Sequence, residues 1–307
     1  MEAQLIAYGE WMARVQQIEA PLQTALGGIH PAWQRAQAGG GGFAAAAQRM
    51  RPTIDGAIAS TDAAIAQLRS LDTPQFPSLD LPDDARTSAI RDQMLQVSRE
   101  MRVAVESFVP LLQAVAQGDA TEAERAGNGM LQSLALVFRS QIVMTRASLV
   151  ATPSDESAWH MVRFQLGYFQ AGERLLRAFR PFNRGYVDTE LANDMIRLAE
   201  QLEDDARKGT RKVDSEIAEF REILLEAEHD TPEAGMLRRL IAVLTIDRGY
   251  FELATELAAL LRAEAPQVRG RGLTEASLMR VFLPMRQIKD RWVEIARNEA
   301  AAMAEAN

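Results

Sequence analysis

Apolar residues recur at spacings of three and four along most of this chain, and this spacing limits the fold more than any other feature. It places apolar side chains on one face of an α-helix. Sustained alternation with period two, which is typical of a strand, is absent from the sequence. The clearest helical run consists of Ile90, Met94, Val97, Met101, Val105, Phe108, Leu112 and Val115. The sequence therefore predicts an all-α fold of antiparallel helical bundles.

A predicted helix break near the middle of the chain divides it into two halves. Pro153 disfavours a helical conformation for Thr152, so the preceding helix should end there. Ser154 and Asp155 are suitable N-cap residues for the helix that follows. We therefore predict two tandem bundles, over residues 1–153 and 154–307, each ending in a long helical hairpin.

Short sequence landmarks recur in the same order in the two halves, and they indicate an internal repeat. The members of each pair occupy the same kind of position in their halves. The first pair lies early in the first helix, the second follows an apolar helix, and the third opens the last long helix. The pairs are Tyr8 with Tyr168, Asp72-Thr73-Pro74 with Asp230-Thr231-Pro232, and Thr121-Glu122-Ala123 with Thr274-Glu275-Ala276. We interpret the C-terminal bundle as a duplicate of the N-terminal one.

Glycine and proline predict where the helices of the first half break. Gly27, Gly28 and Pro31 are expected to end the first helix, and the four glycines of 39–42 form a flexible break. These glycines do not form a phosphate-binding loop, because no Gly-Lys-Ser/Thr follows them. Pro110 is expected to kink the helix that contains it.

Three further local predictions complete the helix assignment. Thr121 and Glu124 have the spacing of a capping box at the start of the last helix of the first half. Residues 187–207 and 211–228 are predicted as two separate helices. Pro284 is expected to kink the returning helix of the second hairpin.

Composition excludes several kinds of protein. The 307 residues include no cysteine, which excludes disulfides, thiolate metal sites and cysteine nucleophiles. The net charge of −8 argues against a protein that mainly binds nucleic acid. The chain contains no apolar run long enough to span a membrane and no signal peptide at Met1, so a cytoplasmic location is expected.

Acidic and histidine-containing motifs do not assemble into a metal or catalytic site. The pairs Asp83-Asp84 and Asp204-Asp205 have the character of a magnesium motif, but Thr or Lys replaces the third carboxylate. We expect helix N-termini and solvated faces to account for these acids. The Glu-x-x-His sequence at Glu226–His229 occurs once, whereas a di-iron bundle needs it twice. His160 is expected to be a partly buried packing residue, so no catalytic, cofactor or metal residue is assigned.

Two arginine-rich stretches are the candidate binding residues. Arg174, Arg177, Arg180 and Arg184 follow one another at helical spacing, with aromatic residues between them. Arg269 and Arg271 lie on a predicted glycine-rich loop before a helix N-terminus, where anions are favoured. The first stretch could bind an acidic partner, a phosphorylated ligand or single-stranded nucleic acid, and a solvated stripe of ion pairs with neighbouring acids is the alternative. For Arg269 and Arg271, the alternative is drift of charge on a solvated loop. The sharper hypothesis is that Arg269 and Arg271 bind an acidic group, either from the Asp119–Glu124 tip of another copy or from a partner.

The function predicted from these features is a non-enzymatic helical scaffold. Its surfaces would bind a protein partner or other copies of the same chain. The alternative is a sensory or carrier module that binds an apolar small molecule between helices. Adaptable, methionine-rich linings suit such ligands, and the residues in question are Met94, Met101, Met130, Met144 and Phe108.

Overall fold

The described part of the chain contains α-helices and no strand, which confirms the all-α prediction. The structure, a computed structural model, describes residues 2–79, 81, 83, 86–179, 189–227 and 231–304. The helices are α1 Glu2–Ala38, α2 Gly42–Ser70, α3 Thr87–Glu106, α4 Phe108–Gln117, α5 Ala120–Ala151, α6 Ser157–Ala178, α7 Thr189–Glu226, α8 Pro232–Arg271 and α9 Glu275–Ala304. Within these described residues, no helix combines the length and the apolar character needed to cross a lipid bilayer.

Contacts divide the chain into two compact units, with the division falling between Ala147 and Ser148. The first unit contains α1 to α4 and most of α5. The second contains α6 to α9. Helix α5 ends at Ala151, as the proline at 153 predicts. The next helix begins at Ser157 after Glu156 in an extended conformation, so the predicted N-caps Ser154 and Asp155 are wrong.

The first unit is built on a hairpin of α1 and α2. Positive φ angles at Gly40, Gly41 and Gly42 turn the chain between the two helices, a conformation that glycine adopts without strain. At the far end of the hairpin, Trp11 donates its indole N–H to the Asp72 carbonyl at 2.7 Å. Helices α1, α2, α3 and α4 together bury an apolar core that consists of Ala36, Ala46, Ala47, Met50, Ile54, Ala57, Val105 and Leu112.

Helix α1 continues through Gly27, Gly28 and Pro31, so the predicted end of the first helix is wrong. A proline inside a helix removes one backbone hydrogen bond and costs about 3 kcal/mol. Burial of apolar side chains offsets this cost, because each contributes about 1.5–3 kcal/mol when it is fully buried. Leu26 and Trp33 on either side of the proline pack against the core of the first unit.

The helical run is interrupted close to Pro110, where the sequence predicts a kink. Helix α3 ends at Glu106, and α4 begins at Phe108 after the single residue Ser107. Proline has no N–H to donate to the carbonyl four residues earlier, so the helical hydrogen-bond pattern is interrupted at Glu106. Helix α9, in contrast, runs through Pro284 as one helix.

The second unit is a four-helix bundle in which each helix is antiparallel to the next. Along every neighbouring pair of helices, residue numbers rise on one helix as they fall on the other. The contacts that show this are Ser157–Glu216, Arg163–Asp205 and Arg174–Asp194 between α6 and α7; Arg248–Asp214, Arg262–Glu203 and Arg269–Asn193 between α7 and α8; and Arg280–Glu264 and Arg291–Glu256 between α8 and α9. Trp292 of α9 packs on Phe164 of α6 and closes the bundle.

Helix α7 runs unbroken from Thr189 to Glu226, so the prediction of two helices over 187–207 and 211–228 is wrong. Gly209 lies in the region that was expected to separate them. The Phe251 ring of α8 packs directly against the backbone of this glycine, and a Cβ placed there would lie only 2.1 Å from Phe251 Cε1. The glycine therefore permits close helix packing rather than ending a helix.

The capping residue at the start of α5 differs from the predicted one. Thr274 caps α9, because its Oγ1 accepts the Ser277 N–H at 3.1 Å. In the first unit the capping residue is Asp119, whose Oδ1 accepts the Glu122 N–H at 3.0 Å. Thr121 lies inside α5, so the predicted Thr121–Glu124 capping box is wrong.

We predict opposite stability effects for the same substitution at two helical glycines. Gly209→Ala places a methyl group against the Phe251 ring, and overpacking of this kind costs about 1–3 kcal/mol. Gly56→Ala on α2 meets open space, and alanine is favoured over glycine in a helix by about 0.5–1 kcal/mol. Urea denaturation of both variants measures whether each substitution lowers or raises the free energy of unfolding. A Gly209→Ala protein as stable as the Gly56→Ala protein would contradict the close packing.

Candidate functional site

Helix α6 places the first two of the predicted arginines near its C-terminal end. Arg174 and Arg177 lie in its last two turns. The helix ends at Ala178, and Phe179 is extended, so a single helical stripe does not continue from Arg177. Arg180 and Arg184 lie outside the described residues. Arg177 forms an ion pair with Glu173 one turn earlier, with Nη1 3.1 Å from Oε1.

Arg174 shares one carboxylate with a second arginine. Its Nη1 lies 3.2 Å from Asp194 Oδ2, and Arg197 binds the other oxygen of the same carboxylate. Burial lowers the pKa of Arg174, the positive charge of Arg197 lowers it further, and Glu173 acts in the opposite direction. Asp194 is therefore the main counter-charge for both Arg174 and Arg197, and one negative charge offsets only part of the repulsion between the two guanidinium groups.

Arg269 and Arg271 lie in the last turn of α8 rather than on a loop, which corrects the predicted local structure. The helix continues through Gly270 and ends at Gly272, whose N–H donates to the Val268 carbonyl at 2.8 Å. A positive φ angle at Gly272 then turns the chain towards α9. Both arginine side chains are exposed at the point where the helix ends.

The two arginine stretches that the sequence predicted separately meet on α7. Arg269 donates from Nη2 to Asn193 Oδ1 at 2.5 Å, and Arg174 pairs with the adjacent residue, Asp194. The antiparallel bundle accounts for this meeting, because the ends of α6 and α8 lie beside the start of α7. We call this surface the arginine end, and it consists of Arg174, Arg177, Arg197, Arg269 and Arg271.

The charges of Arg269 and Arg271 are the least compensated at the arginine end. Arg269 bonds to a neutral amide, and among the described residues neither arginine forms an ion pair. The partial negative charge at the C-terminus of α8 stabilises them without neutralising them. Exposed guanidinium groups bind carboxylates or phosphates through paired N–H donors, which defines the chemistry available to this surface.

The arginine end is an open surface and not a ligand cavity. A crevice beneath Arg174 and Asp194, lined also by Leu198 and Leu261, has a volume of about 10 Å³. That volume is no larger than a single water molecule requires. A small organic ligand would therefore find little enclosure here, whereas an extended segment of another macromolecule could lie across the surface.

The acidic tip that was proposed to bind Arg269 and Arg271 is already engaged within its own unit. Asp119 caps α5, and Arg125 forms an ion pair with Glu122 at 2.5 Å. The Arg125 guanidinium lowers the pKa of Glu122 through this hydrogen bond. Two of the acids at residues 119–124 thus have partners, and this reduces the case for contact with the arginines of another copy.

Asp205 was expected on a solvated helical face, and the structure corrects this expectation. Its side chain is buried, and Arg163 Nε lies 2.7 Å from each carboxylate oxygen. His160 is also buried, as a packing residue beside Trp159, with Nδ1 3.4 Å from Asp205 Oδ1. Asp204, in contrast, is on the surface and binds Arg207 and Lys208, as the sequence predicts.

Sequence reasoning missed a second buried acid, Asp247 of α8. A signal was present, because Asp247 precedes Tyr250 by three residues, and Ala254, Leu257 and Leu261 continue the same helical face. All of these residues are buried. A carboxylate in an apolar stripe is unusual, because burial of an unpaired charge is costly.

The remaining motifs considered in the sequence are a metal site, which was not predicted, and the alternative apolar ligand site. Within the described residues, no group of three or more His, Asp or Glu side chains could hold a metal ion. His229 of the Glu-x-x-His sequence lies outside the described residues. The residues proposed to line an apolar ligand site are all only half-buried, namely Met94, Met101, Phe108, Met130 and Met144.

Comparison of the chain with protein-family models, with curated proteins and with solved structures finds no match.

We predict that the Asp194 carboxylate stabilises the arginine end in a salt-dependent way. Asp194→Asn leaves Arg174 beside Arg197 without their shared acid, and we expect a loss of about 1 kcal/mol in the free energy of unfolding at low salt. High salt should reduce the loss by screening the repulsion. Urea denaturation at two salt concentrations measures this. Asp214→Asn, which removes an exposed aspartate of α7 that pairs with the single arginine Arg248, is the matched control, and an equal, salt-independent loss in both would contradict the prediction.

Proposed function

We propose that this chain is a non-enzymatic interaction protein that binds an acidic segment of a protein partner at the arginine end. The proposal is supported by the exposed residues Arg269 and Arg271, which form no ion pair within the described part of the chain and lie beside the Arg174–Asp194–Arg197 cluster. Asn193 and Asp194, adjacent residues of α7, contact Arg269 and Arg174 respectively, and so bring the two arginines to one end of the bundle. A surface with fixed guanidinium groups loses little side-chain entropy on binding a carboxylate.

The shape of the arginine end favours a peptide segment over a small anion. The arginines are spread over the ends of three helices, and the crevice between them is too small for an organic ligand. A segment with several carboxylates could contact the separate arginines at once. Charge complementarity of this kind contributes specificity and speeds association.

No reaction is part of the proposal. Arginine side chains stay protonated in proteins, so they cannot act as proton acceptors in a reaction. The groups that they contact are an amide, Asn193, and two acids, Asp194 and Glu173, that already form ion pairs. The chemistry of this surface is therefore recognition of negative charge.

A partner other than a second copy of the chain is the favoured source of the acidic segment. Asp119 and Glu122 are occupied by a helix cap and an ion pair. Binding to the arginines of another copy would have to compete with those contacts. A free acidic segment has no such cost.

The binding proposal predicts a charge-specific loss of affinity. The probe is a fluorescent glutamate-rich peptide, titrated with the full chain and followed by anisotropy at several salt concentrations. Arg269→Glu with Arg271→Glu should weaken binding by about tenfold or more, the equivalent of about 1.4 kcal/mol. Affinity for the original chain should fall as salt rises.

The matched control is Arg221→Glu with Arg297→Glu, which changes the net charge equally. These exposed arginines lie near the ends of α7 and α9 in the same unit, away from the arginine end. Equal weakening by the two double variants would show a general charge effect and contradict the site. Tighter binding of a single-stranded oligonucleotide than of the peptide would replace the protein partner with nucleic acid.

We also propose that the two units are repeats of one ancestral bundle. Each unit begins with a hairpin, α1–α2 or α6–α7, and finishes with a long helix, α5 or α9. The threonine landmarks argue against the repeat, because they occupy different positions: Thr274 caps α9, whereas Thr121 lies inside α5.

The repeat proposal predicts that experimental structures of the two halves superpose over several helices in the same order. Tyr8 should then lie near Tyr168. A different helix order, or a superposition limited to one hairpin, would contradict the duplication.

A further inference from the structure

Asp247 is a buried acid that faces other acids on both neighbouring helices. Only 4% of its surface is exposed. The contacts that define the α8–α9 register, such as Arg291–Glu256, place Glu299 opposite Asp247. The α7–α8 contacts, such as Arg248–Asp214, place Glu216 opposite it on the other side. This cluster lies far along the bundle from the arginine end.

The neighbours of Asp247 hold its two facing acids in different ways. Glu299 of α9 is in hydrogen-bonding contact with both Asp247 and the Tyr250 hydroxyl. Glu216 of α7 accepts hydrogen bonds from the Ser157 N–H at 3.1 Å and the Ser157 hydroxyl at 2.6 Å. The Ser157 donors therefore hold the Glu216 carboxylate in place.

Positive charge does not balance Asp247 itself. A cation of α7 at this level of the bundle, Lys212, is directed to Glu216, with Nζ 4.0 Å from Oε1. Arg248, next to Asp247 on α8, pairs instead with Asp214. Helix α6 contributes the uncharged Ser157, and Glu299 is the charged group that faces Asp247 from α9. The charges that act on Asp247 are thus both negative.

Two carboxylate oxygens in this cluster accept no hydrogen bond and have no contact with solvent. They are Oδ1 of Asp247 and Oε1 of Glu299. Two ionised carboxylates in contact would repel strongly in a buried site, and neither could donate a hydrogen bond to the other. A single proton resolves both difficulties, because a protonated carboxyl group donates to its partner.

We propose that Asp247 and Glu299 form a proton-binding carboxyl pair, in which Asp247 holds a proton and donates it to Glu299, and that loss of this proton loosens the adjoining ends of α8 and α9. Tyr250, whose hydroxyl is a hydrogen-bond donor, lies beside Glu299, so the proposal places the proton on Asp247. The proposal concerns a different end of the bundle from the arginine end and does not depend on the proposed function.

The expected electrostatic behaviour of Asp247 agrees with this geometry. Burial raises the pKa of the Asp247 carboxyl to about 8, with further contributions from the hydrogen bond to Glu299 and from the charges of Glu299 and Glu216. Burial likewise raises the pKa of Tyr250, with Glu299 as the next cause. The phenol therefore remains protonated and continues to donate.

The sign of the pH dependence follows from proton linkage. The ordinary pKa of an aspartate is 3.8, so the unfolded chain releases this proton at a much lower pH than the folded chain does. The folded state thus binds more protons at intermediate pH, and its stability falls as pH rises until the folded carboxyl also ionises. One retained proton changes the folding equilibrium by up to about tenfold per pH unit.

The test compares the full chain with Asp247→Asn by hydrogen exchange of peptides from the start of α8 and the end of α9. Asparagine keeps the size of the side chain, can donate to Glu299 and does not titrate. Between about pH 6 and about pH 9, we expect protection in the original chain to fall by about tenfold or more relative to Asp247→Asn. Comparison at the same pH cancels the intrinsic pH dependence of exchange.

The matched control is Asp204→Asn, which removes a surface aspartate of α7 that pairs with Arg207 and Lys208 of the same helix, away from Asp247. Its protection should follow the original chain at both pH values. Parallel behaviour of the original chain and Asp247→Asn would overturn the proposal. The proposal would also be overturned if added Mg²⁺ or Ca²⁺ restored protection at high pH in the original chain but not in Asp247→Asn. The carboxylates would then bind a metal cation in place of a proton.

A second measurement covers the case in which Asp247→Asn fails to fold. Infrared difference spectra of the original chain, recorded between neutral and alkaline pH, should show a protonated carboxyl band that disappears as pH rises. The control Asp204→Asn should show the same band. Absence of any such band at neutral pH in the folded protein would overturn the proposal without reference to a variant at Asp247.

Discussion

The contact between the Phe251 ring and the backbone of Gly209 sets how closely α7 and α8 approach, and the polar features of the second unit depend on it. A side chain at position 209 would occupy the space of the ring and push the helices apart. The close approach fixes one antiparallel register. That register places Asn193 beside Arg269 at one end and Glu216 opposite Asp247 towards the other.

Much of the secondary structure could be predicted from the sequence because helical periodicity acts locally. Pro110 interrupts its helix at the expected point, and Gly118, with a positive φ angle, ends the next helix. The errors came where tertiary packing outweighed a local preference. Helix α1 passes through Pro31 because apolar residues on both sides of it are buried, and Gly209 is a packing contact inside α7 rather than a break.

The candidate site could be predicted only in part for the same physical reason. Helical spacing identified Arg174 and Arg177, and the two arginines at 269 and 271 stood out by composition alone. Their meeting depends on Asn193 and Asp194, which are ordinary polar residues in the sequence. Nothing local indicates that two stretches almost a hundred residues apart contact adjacent positions of α7, because that contact follows from the register of the bundle.

The arginine end and the Asp247 cluster of the second unit differ in how the charge of their side chains is stabilised. At the arginine end the guanidinium groups stay largely exposed, so water solvates charges that neighbouring acids do not neutralise. At Asp247 water is excluded. A carboxyl group that faces two other acids, Glu299 and Glu216, is most stable in its protonated form. An exposed charge remains available to a partner, whereas the buried acid instead makes the packing of its helices depend on proton concentration. The same register therefore separates a surface suited to recognition from a cluster suited to pH response.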